Sequence, residues 1–365
     1  MSELRVNAVT DETGGNTATI NGMTPTADSL QGFRNRLING NMVLDQRNAG
    51  ASVTITNTGA ATYTLDRWAG YGSQASKFSV QQNAGAVTPP SGFSNYLGVT
   101  SLSAYAVSAG DIFVVIQNIE GYNVADFGWG SAGAQSVTLS FWVRSSLTGA
   151  FGGAVRNSAD TRSYPFTYSV SAANTWEQKT ITIAGDTTGT WLTTNGVGIR
   201  VVYGLGVGAT YSGTAGAWAG ASYQSATGAT SVVGTSGATF YITGVQLEAG
   251  SVATPFERRP YGTELALCQR YFSLGPSGAS GRWNSSTAAE VAYAFRVEMR
   301  AAPTVTHLTN YSAPNAGVTN ITITATSISD TSNTMGTLLN LTGSGASGGG
   351  ICIVRGNGAG FSAEL

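Results

Sequence analysis

Charge is what this sequence has least of. Lys and Arg total 18 and Asp and Glu 19 among 365 residues, so charged side chains make up 10% and the formal net charge is −1. Soluble domains usually carry about 25%. Lysine occurs only at Lys77 and Lys179, and histidine only at His307. A chain so poor in cations cannot gain affinity by releasing counterions from a phosphate backbone, which excludes nucleic acid as a partner. Cysteine is scarce too. Cys268 and Cys352 are too few for a disulfide framework and read as free thiols of a chain that folds in a reducing cytoplasm. Long apolar runs are missing: even the longest uncharged stretch, Val201 to Leu247, is rich in Gly, Ser, Thr and Ala, unlike the ~20 apolar residues of a membrane span. Membrane insertion is therefore not expected. Glu3, Arg5, Asp11 and Glu12 punctuate the first twenty residues, so no secretory signal is expected either.

What the chain does have is glycine, at 49 positions, and aromatic rings, with 7 Trp, 15 Tyr and 13 Phe in a sequence that is 42% hydrophobic. That is enough to build a core, which excludes disorder of the whole chain. The length allows two or three domains. Residues 1–32 form a polar lead with one strand-like run, Leu4 to Val9, and a turn at Asp11-Glu12-Thr13-Gly14-Gly15. Such a segment orders only against a partner. After it, Ser29 before Leu30, Phe33 and Leu37 predicts a short capped helix.

From Asn39 to about Glu257 the apolar period becomes two. Val137, Leu139, Phe141 and Val143 alternate with Thr138, Ser140, Trp142 and Arg144, the pattern of a half-buried strand. Strands are also predicted at Tyr63–Trp68, Lys77–Gln81, Tyr96–Leu102, Asp111–Glu120, Tyr164–Val170, Trp176–Ala184, Gly198–Tyr203 and Phe240–Glu248. With no helix between them, these runs predict an all-β fold, two packed antiparallel sheets forming a jelly-roll β-sandwich over 33–259. A connector follows at 260–272, where Thr263 and Glu264 open a short helix with Leu265, Cys268 and Phe272 on one side. Residues 273–365 then form a small C-terminal β domain, with strands at Ala289–Arg300, Thr304–Leu308, Val318–Ser329, Leu338–Leu341 and Ile351–Val354. Gly343 to Gly350 is a low-complexity turn within it.

Several of these segments carry a resemblance. Phe33-Arg34-Asn35-Arg36-Leu37-Ile38-Asn39-Gly40-Asn41-Met42, Asp45-Gln46-Arg47 and Tyr63-Thr64-Leu65-Asp66-Arg67-Trp68 open a span that resembles bacteriophage tail-fibre and receptor-binding proteins. Gly244-Val245-Gln246-Leu247-Glu248-Ala249-Gly250, Thr254-Pro255-Phe256-Glu257-Arg258-Arg259-Pro260 and Cys268-Gln269-Arg270-Tyr271-Phe272 close it. Within that span, Val137–Ser146, Asn174-Thr175-Trp176-Glu177 and Asp186-Thr187-Thr188-Gly189 resemble jelly-roll carbohydrate-binding modules. Leu4-Arg5-Val6-Asn7 is similar to the virion-anchoring lead of phage fibres. The resemblance implies a homotrimer on a virion tail, fixed through residues 1–32 to tail or baseplate proteins and directed at a host surface glycan. Carbohydrate-binding modules of this kind often hold a structural calcium ion. Here Thr243-Gly244 stands where they carry an acid, so no metal or other cofactor is expected.

Catalysis is not expected either. Glycoside hydrolysis needs two carboxylates about 5–10 Å apart, and the pairs available, Asp111 with Glu120, Asp126 near Trp129 and Glu290 with Glu298, sit in no motif. His307 follows no nucleophile elbow, and one histidine with two distant cysteines makes no zinc set. Binding has better support, because a lectin-like site pairs aromatic faces with hydrogen-bonding side chains. Tyr211, Trp218 and Tyr223 lie in a loop too rich in Gly and Ala for core strands. Arg282, Trp283 and Asn284, with His307, Asn310 and Tyr311, form a second candidate group, and Trp142 on the outward side of its strand is a third. The expected function is non-catalytic adhesion. A structural tail adaptor or short fibre is the alternative, and a depolymerase ranks below both.

Overall fold

The computed structural model describes residues 32–314, 321–346 and 348–365, so the lead and the start of the helix expected at Ser29 lie outside the described residues. The chain enters the described part without a helix. Phe33 takes a left-handed φ of 62°, and the backbone N–H groups of Arg34 and Asn35 both donate to the Glu257 carboxylate (3.1 and 3.0 Å). Phe33 is exposed and Leu37 fully buried, so the two share no face, and the expected helix is corrected to an extended entry strap.

Strands β1 (Val53–Thr54), β2 (Thr62–Tyr63), β3 (Trp68–Gly72), β4 (Phe78–Gln82), β5 (Leu97–Ser101), β6 (Ile112–Glu120), β7 (Val137–Ser145), β8 (Gly149–Arg156), β9 (Ser163–Val170), β10 (Glu177–Ile183), β11 (Val197–Val207), β12 (Ser212–Gly213), β13 (Ser225–Ala226) and β14 (Thr239–Ala249) build the first body. Two six-stranded sheets, ordered β1-β4-β5-β14-β7-β10 and β2-β3-β6-β11-β8-β9, face each other, and the chain crosses repeatedly between them. All pairs within these sheets are antiparallel. The inward residues of β7 meet those of β9, β11 and β14 in one core, where Phe141 packs edge-on against Tyr168 and Tyr203 (5.0 and 5.1 Å). Edge-to-face contact suits the ring quadrupoles.

Three strand expectations change, one of them beyond the sandwich, where the strand expected over Ala289–Arg300 stops at Ala294. Tyr63–Trp68 is a turn between β2 and β3, because Arg67 sits at φ 70°. The outward face of β7 is covered where half-burial was expected: Thr138 donates to the Gly250 carbonyl (2.8 Å), and the Glu248 carboxylate accepts from the N–H and hydroxyl of Thr254 (2.8 and 2.6 Å). Gly244 forms a left-handed bulge (φ 60°) in β14 where a Cβ would lie 2.6 Å from the Phe93 ring. A side chain that could ligate a metal does not fit there.

Helix α1 (Tyr261–Gln269) starts directly after Pro260. Beyond it lie β15 (Phe272–Gly275), β16 (Ser280–Trp283), β17 (Ala288–Ala294), β18 (Thr304–His307), β19 (Tyr311–Ser312), β20 (Thr322–Ser332), β21 (Gly336–Gly343), β22 (Ile351–Ile353) and β23 (Ala359–Ser362). They form a sheet β15-β23-β18 and a larger one ordered β19-β20-β21-β17-β16-β22, around a separate core. Among the described residues no helix is long and apolar enough to cross a membrane.

The two bodies join at a polar neck. Ile38, Leu44, Cys268 and Tyr271 make its small apolar centre. Around them Glu364 bridges Arg67 and Arg47, and Glu120 takes Arg270 at 2.6 Å and the Tyr271 hydroxyl at 2.5 Å. Asn39 donates to the carbonyls of Leu44 and Asp66 (2.8 and 3.0 Å), while its N–H reaches Glu264. Segments 33–42, 45–47, 63–68 and 268–272 of the sequence meet here, while Gly244–Ala249 belongs to β14.

Asp66 is the neck's titratable weak point. Burial pushes its carboxyl up to about 6, against the Gln46 N–H and Arg47, which pull it down. A carboxyl whose folded pKa exceeds its unfolded value near 3.8 binds an extra proton in the folded state, so its contribution to stability declines as pH rises from about 4 to 6. Asp66→Asn is expected to remove that decline, on the order of 2–3 kcal/mol. Denaturation midpoints of both proteins between pH 4 and 8 test this; parallel profiles would reject it.

Candidate functional site

After β11 the chain leaves the core and crosses the outside of the second sheet before returning at β13. The crossing is held in place by backbone pairing. Ala219 and Ser163 exchange N–H···O bonds (2.8 and 3.1 Å), and the Gly216 N–H reaches the Pro165 carbonyl (2.9 Å). This strap covers β9, an edge strand whose free backbone groups would otherwise invite pairing with another chain. Of the expected binding residues, Tyr211, Trp218 and Tyr223 all lie on it, and all three are half-buried.

They point to two different places. Trp218 turns toward the sandwich edge, where its indole N–H donates to the Ala184 carbonyl (2.7 Å). There it meets Trp129 and Trp191, each pair of rings close to perpendicular with centroids 4.7–5.4 Å apart. Trp129 and Trp191 also donate their N–H groups to backbone carbonyls. Arg162 lies 5.9 Å over the Trp218 ring and forks onto Asp186 with two bonds of 2.7 Å. Burial opposes the Asp186 charge, but Arg162 and the Thr188 N–H outweigh it and hold the carboxyl below its ordinary value. This cluster is rigid and charge-balanced, with Trp191 and Trp218 partly open to solvent.

On the strap's other side, Arg156 and Arg200 are cross-strand neighbours on β8 and β11. Arg156 Nη2 donates to Ser222 Oγ (2.6 Å), and Tyr211 is close enough to act on its charge. Both guanidiniums reach Oδ1 of Asp160, at 2.8 and 2.5 Å. Burial pulls Arg156 down to about 10, with Arg200 pulling the same way against Asp160. It stays charged at neutral pH. Asn157 anchors the turn between β8 and β9, its Oδ1 accepting from the N–H groups of Thr161 and Arg162 at 3.0 Å.

The second candidate group divides. Arg282 and Asn284 are exposed, but Trp283 is fully buried and donates to the Ala313 carbonyl (3.2 Å), so its ring presents no face to a ligand. Tyr311 is buried in the same core, its hydroxyl 2.6 Å from Thr326 Oγ1, and burial pushes it up to about 12. His307 is half-buried beside it, with Nδ1 3.1 Å from that same oxygen and Nε2 3.2 Å from Asn310 Oδ1. Trp142 is half-buried on the outer face of the first sheet.

Trp129, Trp191 and the Arg156–Arg200 pair were not singled out in the sequence. Gly128-Trp129-Gly130 did carry a hint, since a ring between glycines has no alternating neighbours and must pack across a loop. Among the described residues no group of three or more His, Cys, Asp or Glu is placed to hold a metal.

The arrangement is an all-β sandwich protein with an aromatic and basic surface built on one sheet edge. No family model and no curated protein matches the sequence. Among solved structures, it is similar to the enzymatically active domain of tailspike protein 4 of bacteriophage CBA120, at 10% identity and a TM-score of 0.30, over 60% of this chain and 22% of that one. A putative sugar-binding protein of Bacteroides thetaiotaomicron aligns at 10% identity and a TM-score of 0.32, over 59% of this chain and all of that one. A family 11 carbohydrate-binding module from Clostridium thermocellum, in complex with a mixed-linked tetrasaccharide, aligns at 9% identity and 0.28, over 56% and 98%.

Proposed function

We propose that this chain is a bacteriophage tail-fibre protein that attaches the virion to a glycan on the host surface without catalysis, and that the strap carries the contact. The observation behind this reading is the strap itself. It sets Tyr211 and Ser222 beside Arg156, itself the cross-strand neighbour of Arg200, with the Tyr223 ring next to Gly213, on a scaffold fixed by backbone pairing, and so supplies both the ring faces and the hydrogen-bond donors that a sugar requires. The acids weighed earlier for hydrolysis are otherwise engaged: Glu120 holds Arg270, Asp126 holds Arg36, Asp111 holds Ser73 and Tyr105, Glu290 accepts from Ser329, and Glu298 accepts from Thr334. Weak sites suffice if a homotrimer presents three at once. Ile351 and Ile353, exposed on the edge strand β22, are our choice for part of the subunit contact.

Replacing Tyr211 and Tyr223 together by Ala is expected to weaken glycan binding roughly tenfold or more, with the far-ultraviolet spectrum unchanged. Binding retained at wild-type strength would remove the strap from the contact. Light scattering should give three times the chain mass of 37.4 kDa; the monomer mass would reject the trimer.

A structural tail component is the second reading, and one observation favours it. Most of the segments that resemble tail fibres, 33–42, 45–47, 63–68 and 268–272, meet at the neck, a joint between two bodies, and none of them lies on the strap. A protein that neither labels host cells nor blocks phage adsorption would decide for this reading.

A further inference from the structure

We infer, building on the reading that the strap binds a glycan, that the sugar is carboxylated and that its carboxylate seats on the Arg156–Arg200 pair. Two guanidiniums meet on a single oxygen of Asp160, and among the described residues no second acid pairs with either. The group therefore carries an uncompensated positive charge. The contrast with Arg162 and Asp186 is direct: that pair is one to one and closed by two bonds.

A simple turn clamp does not account for the arrangement. Arg156 and Asp160, four residues apart, would brace the β8–β9 turn by themselves, and Asn157 already does so; Arg200 adds a like charge beside Arg156 at an electrostatic cost. Arg156 is almost wholly enclosed, with a side chain 3% exposed, yet its Nε has no partner. A buried donor left unmade is costly. Asp160 holds a left-handed φ of 60°, a conformation that costs free energy in a residue with a side chain. Its own side chain is 47% exposed and that of Arg200 26%, so solvent and ligand can reach the seat.

The chemistry of the ligand follows from the present occupant. The group on the arginines is already a carboxylate, the planar anion that guanidinium forks bind best. A sugar acid arriving from solvent would share or replace Asp160, with its ring beside Tyr211. A uronate and a sialate offer this same group.

The test is an array of neutral, sulfated, uronate-bearing and sialate-bearing oligosaccharides, with oligogalacturonate and its methyl ester included, probed with the full chain. Hits among the carboxylated sugars are expected, with uronate and sialate spots telling the two sources apart. Methyl esterification should abolish binding to a uronate hit. Arg200→Gln should weaken carboxylated hits at least tenfold, and Asp160→Asn, which frees both arginines, should strengthen them several-fold. Hits confined to neutral or sulfated sugars would overturn this inference and leave the glycan reading standing, whereas a blank array would overturn both. Carboxylated hits that ignore Arg200→Gln would place the acid elsewhere. If that variant failed to fold, a uronate ester bound as well as its acid by the wild-type chain would overturn the inference.

Discussion

Glu364→Ala should cost this protein about 3–5 kcal/mol of stability, the usual penalty for removing one partner of a buried ion pair. Glu364 is almost fully buried and accepts from two arginines, Arg67 and Arg47. Arg67 is the sharper case. Its side chain is 1% exposed, its Nη2 is held by the Asn118 carbonyl at 2.6 Å, its Nε has no partner, and its guanidinium lies 3.5 Å over the Tyr271 ring. It cannot swing out to water without opening the neck. Without the carboxylate, a buried cation keeps only a ring and a carbonyl, neither of which neutralises it. Arg47 suffers less, since it is more open and stacks 3.7 Å over Phe272.

The loss should also be local in its consequences. Glu364 follows directly on the last tip strands, and its carbonyl and that of Ala363 accept from Arg300 (2.9 and 2.7 Å). The tip would stay folded but grip the sandwich less firmly. Limited proteolysis should then cut near 268–275 well before either body unfolds, and chemical denaturation should show a lower midpoint. Glu364→Gln keeps an acceptor and should fall between wild type and Ala. A variant within about 1 kcal/mol of wild type would mean that Asp66 replaces Glu364 as the counter-ion. That outcome is itself measurable, because the Asp66 proton would then leave at lower pH.

Most of the sandwich was legible in the sequence because its strands obey the period of two. β4 to β7, β9 to β11 and β14 lie where alternation of Val, Ile, Leu and Phe with polar residues placed them, within a few residues at their ends. β8 was not legible. Its Gly-Ala-Phe-Gly-Gly-Ala-Val sequence shows no alternation, since the strand passes so close to β11 that a Cβ at Gly153 would lie 2.3 Å from the Val202 carbonyl. Close backbone approach selects glycine and erases the pattern. The helix expected at Leu30 to Leu37 is not formed over its described part for a tertiary reason: the i, i+3, i+7 spacing was real, but Glu257, more than 200 residues away, captures the backbone N–H groups of Arg34 and Asn35 in the middle of the segment. No local reading contains that partner.

The candidate site was legible only in part. Tyr211, Trp218 and Tyr223 stood out because rings in a glycine-rich loop lack strand neighbours, and the loop does lie on the surface of the sheet. Their separation onto two sides of the strap depends on Ala184, Trp129 and Trp191, which come from the other sheet and from distant loops. Arg156 and Arg200 became neighbours through the β8–β11 register, which rests on the strand that the sequence concealed. Long-range pairing decides such sites, and residue spacing along the chain does not encode it.

Trp283→Ala should destabilise the C-terminal body by about 3–5 kcal/mol, as loss of a large buried ring does in general, while Arg282→Ala beside it should stay within about 0.5 kcal/mol. The two residues occupy opposite faces of β16. Arg282 faces outward, in register with Glu290 on β17, and Trp283 faces a core that it shares with Ile321, Ile323, Leu339, Leu341 and Tyr311 as well as several alanines. A packed core relaxes only partly around a deleted ring, so a cavity would persist. The Ala313 carbonyl, which takes the indole N–H at 3.2 Å, would lose its donor as well. For a body of some ninety residues, whose whole stability is on the order of 5–15 kcal/mol, that loss is large enough to separate its melting from that of the sandwich. Calorimetry should show an early transition in Trp283→Ala and none in Arg282→Ala. The reverse pattern, an intact tip in Trp283→Ala with glycan binding lost, would return the ring to the surface and restore residues 282–284 as a sugar contact. Burial predicts otherwise: a side chain that holds the tip together cannot also present its face to a ligand.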